Sequence, residues 1–215
     1  AELGLASNCI GAKNPETGKL IDDEIKLLGD NITPSETIEM YYGDTKKFFK
    51  EFRKSNPGVH KLEVPPHFTG GWAFLVNYET INRVGGLFDR QFRIGFWEDV
   101  DLSWRLAKAG YNIGHIDEIY LHHFTHVSFN SNKLRQSDKQ ISRTNALKFA
   151  AKWSEAIKNY LKQQLESGNT VEQISRQIHI FGVFLGRDRE DYEDLEKSLR
   201  KDFIEGSMSF RAFLL

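Results

Sequence analysis

The chain of 215 residues has a single cysteine, Cys9, so no internal disulfide can staple it. A reducing compartment is the simpler setting for such a chain. Charge of one sign is also missing: the formal net charge is −1, and no dense Lys/Arg stripe interleaves with aromatics. That excludes the electrostatic footprint of a nucleic-acid binder. No apolar run approaches the ~20 residues that span a bilayer. The first residues lack the charged-then-apolar order of a secretion signal. Internal repeats and low-complexity tracts are absent too. These gaps predict a cytoplasmic protein and leave association with a membrane surface open.

The composition is that of a globular chain, with 40% hydrophobic, 27% charged and 13% aromatic residues. Its length suits one large domain or a domain with an appendage, and it can bury a sizeable core without staples. "DTKKFFKEFRKS", 44 to 55, predicts a short helix with Asp44 as cap and Phe48, Phe49 and Phe52 on one face. Pro65-Pro66 predicts extended backbone leading to Gly70-Gly71. "WAFLV", from Trp72, then reads as a buried strand. "NYETINRVGG" reads as a helix closed by Gly85-Gly86. A helix over about 98–109 stops at Gly110, and strand-like stretches follow at 112–116 and 119–123. From 133 the pattern turns helical: one long stretch to Gly168, a partly helical "TVEQISRQIHIFGVFLG", and a charged helix with Tyr192, Leu195 and Leu199 at core spacing.

Three motifs are weak. "HHFTH" places His122, His123 and His126 together, near His115, which suggests zinc. The spacing fits no strong zinc template and cysteine partners are lacking. On a strand His122 and His123 would face opposite ways. The acidic runs "DDE" and "DRED" read more simply as helix starts or solvated faces.

"GFWEDVDLSWRLAKAGY", 95 to 111, is stronger. Glu98, Asp99 and Asp101 follow Trp97 directly. Taken alone, the acids could simply begin a helix and complement its dipole. An aromatic wall beside them and a Gly-Gly segment one supersecondary unit upstream suit a binding site as well.

With these residues in view, the stretch from about Thr69 to Phe124 resembles the inverting glycosyltransferases of family 2. The likeness is carried by "TGGWAFLVNYETINRVGGLFDRQF", "GFWEDVDLSWRLAKAGYNI" and "IYLHHF", in that order. "NALKFAAKW", 145 to 153, resembles a stretch that often follows in members that build bacterial polysaccharides. The resemblance implies a partial GT-A, Rossmann-like α/β fold with a mixed sheet. It would comprise an acceptor-side half over 1–132 and a mostly helical C-terminal extension over 133–215. It implies transfer of a sugar from a nucleotide-sugar donor to a hydroxyl on a glycan or lipid-linked acceptor, in polysaccharide or surface-glycan synthesis. Asp99 would be the general base, and Glu98 would orient the acceptor or hold the loop. Gly70, Gly71, Trp72, Trp97 and Asp101 would line the substrate site, with Trp72 equally well placed as a core residue. His123 would ligate Mn²⁺ or Mg²⁺. Asp101 and Glu98 would also help begin the helix.

The family's nucleotide-binding first half, with its Asp-x-Asp strand, has no counterpart here. The expectation is therefore a chain that is incomplete, and inactive by itself. The alternative is a non-catalytic module that binds a glycan or a partner. The C-terminal helices would serve membrane-surface docking, oligomerisation or contact with a neighbouring domain.

Overall fold

A computed structural model describes residues 3–7, 45–71, 73–93, 95–119 and 138–215. Strand β1 spans Leu3–Ser7, helix α1 Thr45–Ser55 and strand β2 Val59–Leu62. Helices α2, Tyr78–Arg83, and α3, Glu98–Lys108, come before strand β3, Asn112–Ile116. The helices α4, Asp138–Lys152, α5, Ser154–Glu166, α6, Val171–Gln177, and α7, His179–Leu185, follow. Helix α8, Tyr192–Ser198, runs into a π-helical turn at Leu199–Ile204, and α9 covers Phe210–Phe213.

Local chemistry explains several helix ends. Asn77 caps α2 by accepting the Glu79 backbone N–H at 2.7 Å. Thr170 and Gln173 form a reciprocal capping box on α6, where each side chain accepts the other's backbone N–H. Gly110, at φ +86°, takes the left-handed turn after α3 that residues with a Cβ rarely adopt.

The expected Rossmann-like α/β fold is overturned: the structure is mostly helical. Its sheet is small, with order β1-β3-β2. β2 pairs antiparallel with β3, and β1 runs parallel on the other side. "WAFLV" is not a strand in the part described: residues 73–77 are irregular and Leu75 is 73% exposed. Apolar content makes such a run compatible with a strand, but it needs a neighbour to take its backbone hydrogen bonds. Ile119 is likewise exposed and outside any strand. Phe48 and Phe52 are buried on α1 as expected, whereas Phe49 is 45% exposed. Asp44 lies outside the described residues. The long helix expected after 133 is two helices, α4 and α5, that meet at Trp153.

The main core forms where α3 meets the later helices. Trp97, Val100 and Trp104 join Phe149, Trp153, Ile157 and Phe181 in one cluster, which crosses the expected 132/133 boundary. Trp104 makes edge contacts with Phe149 at 4.9 Å and with Trp153 at 5.4 Å between centroids. A smaller cluster of Ile81, Leu102, Leu106 and Ile113 seats α2 and β3 against the other face of α3. Helix α3 is thus buried from two sides. This follows from its sequence, since Val100, Leu102, Trp104 and Leu106 fall around most of its circumference.

One polar residue lies inside this packing. Asp101 is fully buried and holds three donors. Arg105 Nε donates to it at 2.8 Å, Lys152 Nζ lies at 2.7 Å, and Trp153 Nε1 donates at 2.9 Å. Arg105 also donates to the carbonyls of Val84, Gly86 and Leu87, fastening the Gly-Gly turn after α2. Lys152 extends the network to Asp89 at 2.8 Å and, with Gln91, draws that carboxyl down to about 2. Removing one partner of a buried ion pair costs about 3–5 kcal/mol, because the other charge loses its compensation inside the core. Asp101→Ala is therefore expected to lose stability on that scale in urea denaturation. A loss below about 1 kcal/mol, the scale of an exposed pair, would show that water replaces the carboxylate there.

Candidate functional site

The site is built around the first turn of α3. Gly95, Phe96 and Trp97 precede it with φ of +103°, +65° and +74°. Two non-glycine residues in the left-handed region cost on the order of 1–3 kcal/mol each, so their surroundings must hold them. Asn145 does so from α4: its buried amide donates to Gly95 O at 2.8 Å and Phe96 O at 3.2 Å. Lys148 Nζ donates in turn to Asn145 Oδ1 at 3.0 Å and to Gln91 O at 2.6 Å. The Trp97 ring wedges between Phe149 and Phe184, with centroids at 5.3 and 5.0 Å. Its indole N–H donates to Ser142 Oγ at 3.4 Å.

This bent run aims Asp99 at the Gly-Gly segment. Asp99 Oδ2 accepts the Gly71 N–H at 2.9 Å, and Oδ1 accepts the N–H of Val100 at 2.8 Å. The Ser103 hydroxyl donates to Asp99 O at 2.9 Å and accepts the Thr69 N–H at 3.2 Å. Two segments far apart in the chain are thus fastened side by side. A Cβ on Gly71 would sit 2.8 Å from Asp99 Cβ, so only glycine fits that approach.

Burial raises the Asp99 carboxyl above its ordinary value, against the pull of the Gly71 and Val100 N–H groups. Burial also raises Glu98, and the Asp99 charge beside it adds to the rise. Glu98 Oε2 is buried without a hydrogen-bond partner. The pair therefore has a raised proton affinity at the positive end of a helix dipole. Each Asp99 oxygen accepts one N–H, and a carboxylate oxygen has lone-pair capacity for a second proton donor.

The residues expected at the site do not all gather there. Asp99, Glu98 and Gly71 come together, and Gly70 adjoins them. Trp97 is a core residue, 7% exposed, with its ring face covered by phenylalanines rather than open to a sugar. Asp101 has no exposed surface and is held by Arg105, Lys152 and Trp153; it is a structural anchor. Trp72 and His123 lie outside the described residues. Beside Phe96 opens a cavity of about 580 Å³, lined also by Leu147, Val183, Phe184 and Leu214, with Lys139 and Arg143.

Asp99 and Glu98 alone do not make a binding set for Mn²⁺ or Mg²⁺, which take several oxygen ligands. Among the described residues, three groups that could share a metal meet on the sheet instead: His60, His115 and Asp117. Burial and the neighbouring His60 lower His115 below its ordinary value, while Asp117 raises it. That trio was not foreseen, because its histidines lie on two strands whose pairing no spacing rule reveals, with Asp117 just after the second. Asn145 was marked only within "NALKFAAKW", and its grip on the 95–96 backbone gives that stretch a physical role.

No family model, no curated protein and no solved structure matches the chain.

Two outcomes test this geometry. Gly71→Ala should lower the urea midpoint by an amount worth about 1–3 kcal/mol, the usual cost of forcing an extra methyl into a packed site; an unchanged midpoint would mean the 69–71 segment can back away. The Glu98 carboxyl is raised in the fold, so its stabilising contribution is complete below its unfolded value, 4.5, and is lost as pH rises through the folded one. The stability of wild type relative to Glu98→Gln should therefore fall as pH rises from 4.5 toward neutrality. A difference that stays flat over that interval would place Glu98 in water.

Proposed function

We propose that this chain carries the acceptor-activating chemistry of inverting glycosyl transfer, with Asp99 as general base. The observation that supports it is the meeting of Asp99 with Gly71 at 2.9 Å, across two of the segments that resemble family 2 glycosyltransferases. The reading rests on this local constellation and not on the fold.

In the proposed step the ionised Asp99 carboxylate accepts the proton of an acceptor hydroxyl. The hydroxyl oxygen bonds to the anomeric carbon of a nucleotide-sugar as the bond from that carbon to the diphosphate oxygen breaks. The electron pair leaves with the diphosphate, and the centre inverts. A partly desolvated base has more affinity for that proton than a solvated one, and a positioned base contributes about 10²–10⁴-fold. Glu98, adjacent and also raised, keeps a carboxyl available to orient the acceptor.

One observation favours a second reading. Both Asp99 oxygens already accept backbone N–H groups, so the carboxylate also works as a bracket for residues 69–71. A module that binds a glycan or partner without turnover would use it in that way.

The test is turnover of UDP-, GDP- and dTDP-sugars by the full-length polypeptide that carries these residues. Asp99→Asn should lose about 10²–10⁴-fold in kcat while nucleotide binding stays near wild type. Near-normal turnover by a folded Asp99→Asn removes Asp99 from the role. A wild-type protein that binds glycans but neither binds nor turns over any nucleotide-sugar supports the second reading.

A further inference from the structure

The chemistry of the sheet is separate from that of α3. In the antiparallel register of β2 and β3, His60 stands directly opposite His115, with Val59 opposite Ile116 and Lys61 opposite Gly114. Residues directly opposite one another project from the same face of the sheet, so the two imidazoles must meet. Their ring centroids are 5.1 Å apart at 75°. Gly114 permits the close approach of the two strands, since a Cβ there would collide with the His60 carbonyl. Asp117 follows β3 at once, and its N–H donates to Gly58 O at 3.0 Å, closing the end of the strand pair. Its Oδ2 then lies 2.6 Å from His60 Nδ1. One ligand atom from each of the three side chains falls within 4.8 Å of the others.

We propose that His60, His115 and Asp117 bind a Zn²⁺ ion that clasps β2 to β3. Three ligands at about 2.0–2.2 Å leave a fourth tetrahedral position for water. His60 is exposed, so rotation of its side chain can bring the donors to the spacing an ion requires. Two imidazoles and one carboxylate suit Zn²⁺, Ni²⁺ or Cu²⁺ and not Mg²⁺, which prefers an oxygen octahedron. The site is independent of the proposed transfer chemistry, which uses Asp99.

The test is calorimetric titration of the full chain, stripped with EDTA and dialysed, with ZnCl₂. One equivalent should bind with saturation, raise the melting temperature, and persist in excess Mg²⁺. His60→Ala and His115→Ala should each weaken binding by more than about 100-fold, beyond the effect of losing an outer-shell partner, and abolish the melting shift. Substitution of Co²⁺ should give visible absorption that both variants lose. The combined variant His122→Ala, His123→Ala and His126→Ala should keep binding. Circular dichroism checks that each variant folds; if His115→Ala does not, the exposed His60→Ala decides. Three results would overturn the proposal: no saturable Zn²⁺ binding, binding unchanged in folded His60→Ala, or loss of binding only when His122, His123 and His126 are replaced.

Discussion

The Asp101 carboxylate is the contact on which the rest of this structure depends. It sits in the dark of the core with a guanidinium, an ammonium and an indole N–H around it. A charge so placed is tolerated only when it is paired and its lone pairs are used. Satisfying it draws three parts of the chain together: its own helix, the end of α4 with Trp153, and through Arg105 the turn after α2. Specificity of this kind comes from geometry. A methyl-lined core tolerates several packings, whereas these donors fit one arrangement of α3 against α4.

That arrangement carries the strain beside the candidate site. The left-handed Phe96 and Trp97 are costly alone, and they persist because α4 delivers Asn145 to the carbonyls of Gly95 and Phe96 and Phe149 to the Trp97 ring. Their bend sets the start of α3, so Asp99 faces Gly71 rather than open water. The acids thus divide their work by burial. Asp101 is enclosed and structural, and Asp99 and Glu98 are partly exposed with raised proton affinity. Helix periodicity and composition do not tell which of the three acids is enclosed; the packing of α3 against α4 decides it.

Much of the local structure was legible. The span of α3 follows from its acidic first turn and from Gly110, and α2 from Asn77 and the glycines after it. Capping and left-handed turns are written in neighbouring residues, so a linear reading recovers them. "WAFLV" was misread because apolar content cannot say whether a partner strand is present. The break between α4 and α5 was missed because it has no proline or glycine; it lies at Trp153, whose indole is held by Asp101. Phe49 was assigned to the inner face of α1 by spacing, yet only Phe48 and Phe52 are buried there. The histidine cluster was sought in "HHFTH", where histidines adjoin in sequence, while His60 and His115 meet through strand register.

By itself the sequence determined the helix at about 98–108, its acidic start and the glycines that end its neighbours, because caps and turns act over a few residues. Tertiary structure alone decided that the architecture is mostly helical, that Trp97 and Asp101 are core residues, and that Gly71 meets Asp99 and His60 meets His115. These outcomes depend on which distant surfaces exclude water from one another and which donors reach a buried carboxylate, and both are properties of the packed chain.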